Sequence, residues 1–224
     1  MKFLLTNDDG IDAPGIAALD RAIAGQKTIV APKYQMSECG HRFTVRSPIT
    51  VEQRSEKAYA VDGTPADCAR LGLAEFAQDV DWVLSGVNAG GNLGVDIYTS
   101  GTVAAVREAT ILGKRAIAFS HFIRQPLEID WDLVTHWTTK IFNELSQKEL
   151  KKNHFWNVNL PHLVSENTPT IIYCQRSTAP MPVTYKKVDF TYQYSGSYVD
   201  RPRQSNTDVD ICFSGNIAIT QISI

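Results

Sequence analysis

Short apolar runs with no helical period alternate along this chain with stretches whose apolar positions recur every three or four residues. That is the pattern of strands and helices taking turns in an α/β fold. Phe3-Leu4-Leu5 is the first run, and its continuity predicts a strand buried on both faces. Residues 14–24 carry Ile16, Leu19 and Ile23 at helical spacing, with Pro14 suited to the first turn and Gly25 to the stop. Residues 27–31 read as a second strand. Residues 43–51 and 58–61 read as the arms of a hairpin separated by the polar stretch 52–57. Gly63-Thr64-Pro65-Ala66-Asp67 opens a helix that runs through Phe76, with Thr64 as cap, Pro65 at the first position and Asp67 near the positive end of the dipole.

Trp82-Val83-Leu84 is the next buried strand, and residues 85–99 read as the longest irregular segment, rich in glycine and asparagine. This segment is not a dinucleotide fingerprint, because Ala89 stands where the first glycine belongs and no helix follows directly. A helix then starts at Ser100-Gly101-Thr102 and stops before Gly113, with Val103, Val106 and Ile111 inward. Residues 116–120 form a strand, 131–145 an amphipathic helix, and 155–160 a strand closed by Pro161. Residues 190–194 alternate with period two and then meet a turn at Ser195-Gly196-Ser197, as in a hairpin, and 217–222 is a last strand. The expected fold is a Rossmann-like, doubly wound, mostly parallel sheet in one domain over residues 1–224, with a carboxyl-terminal hairpin extension.

Composition narrows the function classes. The 224 residues carry a net charge of -2, so no electrostatic footprint for polymeric nucleic acid or an anionic membrane is present. The four cysteines, at 39, 68, 174 and 212, lack the spacing of a zinc site or the density of a disulfide scaffold. No apolar run approaches the length of a membrane span, and the expectation is a soluble cytoplasmic protein.

The chemistry gathers at strand ends. Asn7-Asp8-Asp9-Gly10 falls at the carboxyl end of the first strand, where open α/β sheets bind ligands. Adjacent carboxylates disfavour each other's ionisation unless a cation lies between them, and oxygen donors suit Mg²⁺, Mn²⁺ or Ca²⁺. The same residues also fit a plain turn. Residues 32–42 leave the second strand as another candidate wall. Ser100-Gly101-Thr102 presents either an anion site at a helix start or a simple cap, and Gly101 would let a phosphate approach closely. His121 reads as a structural residue or a ligand. No convincing covalent nucleophile is present, so direct attack by water is the expected chemistry.

Taken together, these segments closely resemble the SurE survival-protein family of nucleotidases. The resemblance rests on Thr6-Asn7-Asp8-Asp9-Gly10 with Pro14-Gly15-Ile16; Ala31-Pro32 with Ser37 and Gly40-His41; Gly63-Thr64-Pro65-Ala66-Asp67-Cys68; Ser85-Gly86-Val87-Asn88 with Gly91-Asn92-Leu93-Gly94; and Ser100-Gly101-Thr102-Val103. The resemblance implies a phosphomonoesterase acting on nucleoside 5′-monophosphates, with 3′-monophosphates and short polyphosphate as further substrates in some members. It implies one divalent ion per subunit, Mg²⁺ or Mn²⁺, held by Asp8, Asp9, Ser37 and Asn88, with Asp8, Asp9 and Asn88 as the catalytic set. Asn92, Ser100, Gly101 and Thr102 would hold the phosphate. Asp96 and His41 are weak candidates for proton transfer. Residues 176–214 match the family's extended hairpin and imply a homodimer or homotetramer. Cys39 and Arg42 depart from the family's small residues beside Ser37.

Two other readings compete. A phospho-receiver would need an acidic acceptor after the third strand and a lysine after the fifth, whereas His121-Phe122 follows the strand ending at Ser120. A nucleotide-binding regulator with the metal site but little turnover matches the residue types equally well.

Overall fold

The computed structural model describes residues 1–124, 126–163 and 168–224. In chain order its elements are β1 (Lys2–Thr6), α1 (Pro14–Ala22), β2 (Gln26–Pro32), β3 (Val51–Ser55), β4 (Ala58–Val61), α2 (Pro65–Leu71), β5 (Trp82–Ala89), α3 (Gly101–Ile111), β6 (Arg115–His121), α4 (Trp131–Leu145), β7 (His154–Leu160), β8 (Ile171–Tyr173), β9 (Tyr185–Val188), β10 (Thr191–Tyr194), α5 (Asp208–Phe213) and β11 (Ile217–Ser223). Among the described residues one sheet has nine strands, ordered β3-β4-β2-β1-β5-β6-β7-β11-β8. The run from β4 to β7 is parallel, and β3 and β11 pair antiparallel at its two flanks.

The apolar runs are continuous because both sheet faces are covered. Phe3, Leu5, Trp82 and Leu84 point into a core closed by α1 and α4, while Leu4 and Val83 point into a second core that includes Cys68, Val103 and Val106 from α2 and α3. The chain runs from β1 out to β2 and β4 on one side, then crosses back to β5 on the other. Such a reversal of strand order opens a crevice between the carboxyl ends of the two central strands. Here those strands are β1 and β5.

Four details of the sequence reading are corrected. The first hairpin arm lies at Val51–Ser55, not 43–51, because the preceding segment spends its hydrogen bonds on the start of α2. There the Thr44 amide donates to Asp67 Oδ1 at 2.7 Å, and Arg42 O accepts from the Thr64 hydroxyl at 2.6 Å. The segment that looked irregular from residue 85 continues as strand to Ala89 over a register shift. Gly86 makes this possible, since a Cβ there would lie 2.2 Å from Phe119 O. Ile111 is 53% exposed and not inward. Eight residues after Val103 is about 80° around the helix, and Thr110 takes the inward place. In the second hairpin the turn falls at Asp189 and Phe190, between β9 and β10, and not at residues 195–197.

The start of α2 is a capping box: Thr64 Oγ1 accepts from the Asp67 amide at 3.2 Å, and Asp67 Oδ2 accepts from the Thr64 amide at 2.9 Å. Thr64→Ala removes the cap and the bond to Arg42 O, so a loss of about 1–2 kcal/mol and a melting temperature lower by roughly 2–8 °C are expected. An unchanged melting curve would mean that the cap contributes nothing.

Candidate active site

Loops leaving β1, β2 and β5 meet the start of α3 at the crevice, and direct hydrogen bonds tie them together. Asp8 O accepts from the Met36 amide at 2.7 Å, Asp9 Oδ2 from the Ala89 amide at 3.2 Å, and Thr99 O from the Gly40 amide at 3.0 Å. Asp8 is 5% exposed, and its Oδ1 accepts from the Thr102 hydroxyl. The acidic loop is therefore fastened both to the β2 loop and to α3.

The two carboxylates are held in different ways. Burial pushes the Asp8 pKa up to about 6, the Thr102 hydroxyl works against that rise, and the neighbouring Asp9 charge adds to it. Asp9 is also raised, chiefly by burial, with the Ala89 amide opposing. Asn7 donates to Gly10 O at 2.7 Å, and its buried Oδ1 has no hydrogen-bond partner among the described residues. Buried oxygens left without a donor or a counter-charge are costly, and a hard cation would satisfy them. Asn88 Nδ2 donates to Gly90 O at 2.8 Å, and the next residue, Ala89, gives its amide to Asp9 Oδ2. Ser37 is exposed, and its hydroxyl accepts from Gln35 Nε2 at 2.9 Å. The neighbouring Met36 amide ties its loop to Asp8 O. The donor set thus fits a divalent ion with oxygen ligands.

Asn92 is fixed from several sides. Its amide donates to Asn159 Oδ1 at 2.8 Å, its carbonyl accepts from Asn157 and Asn159, and its Nδ2 donates to Ser120 Oγ at 2.8 Å. One side-chain N–H and Oδ1 remain for another partner. At the start of α3, Ser100 Oγ accepts from the Val103 amide at 3.1 Å as an N-cap, and the Thr102 hydroxyl is committed to Asp8. A Cβ on Gly101 would lie 2.8 Å from Asp8 Cβ. This glycine is therefore where α3 comes close enough to touch Asp8.

The two weak proton-transfer candidates are engaged elsewhere. Asp96 accepts from Arg201 at 2.6 Å, from the Tyr198 hydroxyl at 2.8 Å and from the Leu93 amide at 3.1 Å. His41 meets the buried Glu108 carboxylate at 2.8 Å, and Arg70 holds the other oxygen of that carboxylate. His121 is buried with its Nδ1 unpartnered among the described residues, and burial lowers its pKa to about 4, so it is neutral at physiological pH. The sequence reading gave no role to Asn157, Asn159, Arg201 or Asp208. Two of them were visible as polar residues alternating inside the apolar run Phe155-Trp156-Asn157-Val158-Asn159-Leu160. Asp208 binds the Gly94 and Ser177 amides, each at 2.8 Å, and so pins the β5 loop from a residue more than a hundred positions away.

Comparison with known proteins supplies an independent line. Residues 3–181 match the family model described as Survival protein SurE. A protein of Synechocystis sp. named as a candidate 5′-nucleotidase is 56% identical over 225 residues, covering 100% of both chains. The 5′-nucleotidase SurE of Paramagnetospirillum magneticum is 35% identical over 99% of this chain and 89% of its own. Among solved structures, the SurE protein from Aquifex aeolicus superposes with a TM-score of 0.88 at 31% identity, covering 100% of this chain and 93% of that one.

Proposed function

The chain belongs to the SurE survival-protein family, and from that premise we propose that it is a 5′-nucleotidase, a divalent-metal-dependent phosphomonoesterase that converts nucleoside 5′-monophosphates to nucleoside and phosphate. The observation that carries the reading is the Asp8 carboxylate. It is buried at the switch point of the sheet, beside a second carboxylate, and accepts from the Thr102 hydroxyl at the start of α3.

In this proposal Asp8, Asp9, Ser37 and Asn88 hold the ion, Mg²⁺ or Mn²⁺, and Asn92 with Ser100, Gly101 and Thr102 holds the phosphate. The ion supplies positive charge that offsets the phosphoryl oxygens and lowers the pKa of water. The chain's own part is to orient and to exclude. Thr102 fixes the Asp8 carboxylate, the Ala89 amide fixes Asp9, and Asn157 and Asn159 fix Asn92 so that its free side-chain N–H meets the phosphate without reorganisation. Water attacks phosphorus, the ester P–O bond breaks, and the proton that water releases ends on the departing nucleoside hydroxyl. At the start of α3, Ser100 Oγ caps the helix and the Thr102 hydroxyl donates to Asp8.

A phosphate-release panel over 5′- and 3′-nucleotides and short polyphosphate tests the reading and draws its substrate limits. Release from 5′-monophosphates supports it. Nucleotide binding without release from any of them would instead favour the regulator.

Assembly belongs to the same proposal. On the β9–β10 hairpin Phe190 is 97% exposed and Tyr192 64% exposed, an apolar stripe of the kind that a second copy covers. Light scattering is expected to give a dimer or tetramer for the wild type and a smaller species for the double substitution Phe190→Glu, Tyr192→Glu. A wild-type monomer, or an unchanged oligomer in the variant, would contradict the idea.

A further inference from the structure

Glu108 points into the molecule from α3, its side chain only 3% exposed. A carboxylate is rarely buried without partners, because leaving water is costly. The partners of this one come from two other segments. Arg70 of α2 donates to Oε1, and His41 Nε2 meets Oε2 at 2.8 Å. A carboxylate only accepts, so the imidazole carries a proton on Nε2. Arg70 also lies over the Phe43 ring, its Cζ 4.5 Å from the centroid. Two side chains of the loop that leaves β2, His41 and Phe43, thus converge on one ion pair.

That loop has no regular secondary structure from residue 33 to residue 50, and it carries Ser37 four positions before His41. A segment of that length keeps its shape only through its anchors. Main-chain bonds fasten Met36 to Asp8 and Gly40 to Thr99, and the contact between His41 and Glu108 adds a side-chain tie to α3. The same helix holds Asp8 through Thr102, six positions and about 9 Å earlier along its axis. One rigid helix therefore sets the acidic loop and the Ser37 loop relative to each other.

We propose that His41 and Glu108 are positioning residues for the ion site: by latching the β2 loop to the helix that holds Asp8, they set the place of Ser37 beside the two carboxylates. The proposal rests on the ion site argued above and deepens it, and it assigns neither residue to the ion itself. Arg70 keeps the latch in place by holding the other carboxylate oxygen.

Two measurements that need no turnover test this. Calorimetry with Mn²⁺ is expected to show affinity about tenfold weaker in His41→Ala than in the wild type, the scale of a lost outer partner of a metal ligand. His41→Gln, whose Nε2 can donate to Glu108, is expected to recover most of it. Arg70 still pairs with Glu108 in both variants, so no charge is left buried alone. In the metal-free protein, trypsin is expected to cut after the exposed Arg46 severalfold faster in His41→Ala than in the wild type or His41→Gln. Wild-type Mn²⁺ affinity in His41→Ala overturns the proposal, and so does equal cleavage at Arg46. A plain structural contact would lower the melting temperature and leave the affinity unchanged, whereas a proton-transfer role would cost kcat in both variants at unchanged affinity. Either pattern contradicts the latch. A wild type that binds no Mn²⁺ defeats the ion site itself, while the trypsin comparison still decides whether His41 holds the loop.

Discussion

Asp8→Asn is expected to lose at least about a hundredfold in phosphate release from a nucleoside 5′-monophosphate and, in chelator, to melt several degrees above the wild type. The two effects share one cause. Asp8 is buried and its pKa is raised to about 6, so in the metal-free protein its charge opposes folding. For a carboxylate raised from 3.8 to about 6, the folded state binds the proton more tightly than the unfolded state. Stability therefore falls as pH rises between those values, and the full cost, at most ~3 kcal/mol, is present above the folded pKa. Asparagine carries no such cost and can still accept from the Thr102 hydroxyl. The variant's advantage is expected at pH 7 to 8, to disappear below about pH 4, and to reverse when Mn²⁺ or Mg²⁺ is added, since only the wild type gains the binding energy. Thermal melts across pH, with and without metal, check all three. An Asp8 that served only a turn would give a variant with full activity and a lower melting temperature.

Gly101→Val is expected to abolish most turnover for a different reason from the one its sequence position suggests. Read from sequence, a bulky residue there blocks phosphate and leaves metal affinity intact. In the structure the new Cβ would lie 2.8 Å from Asp8 Cβ, 3.1 Å from Asp8 Oδ2 and 3.1 Å from Pro65 Cγ. Asp8 is wedged between α3 and the β2 loop, so the side chain must shift and take the proposed ion site with it. Activity lower by about a hundredfold, weaker Mn²⁺ binding by calorimetry, and a stability loss of roughly 1–3 kcal/mol from overpacking are expected together. Wild-type metal affinity and turnover in this variant would reduce Ser100-Gly101-Thr102 to an ordinary cap.

The alternation of apolar runs and helical spacing was enough for the doubly wound sheet, because a strand buried on both faces, such as β1, favours a continuous apolar run. Asp8 and Asp9 were legible for a related reason: like charges at the end of a buried strand conflict unless a cation resolves them. Long-range partners were not legible. Nothing near Asp96 in sequence announces Arg201, and Thr44 looks like strand until the bonds it gives to Asp67 are seen. The second hairpin was misplaced because Ser195-Gly196-Ser197 is the stronger turn signal, whereas the actual turn uses Asp189 at φ 54°, a conformation that Asp tolerates. The asparagines of β7 were hidden by burial itself. Their partner is the main chain of Asn92, on a loop that only the fold brings alongside.

The central claim is that a divalent ion between Asp8 and Asp9 makes this chain a nucleotidase. The measurement that tests it most directly is phosphate release from a nucleoside 5′-monophosphate by the wild type, first in excess chelator and then after Mg²⁺ or Mn²⁺ is added back. The account predicts no release above background in chelator and recovery on addition of either ion. Full release in chelator would contradict it.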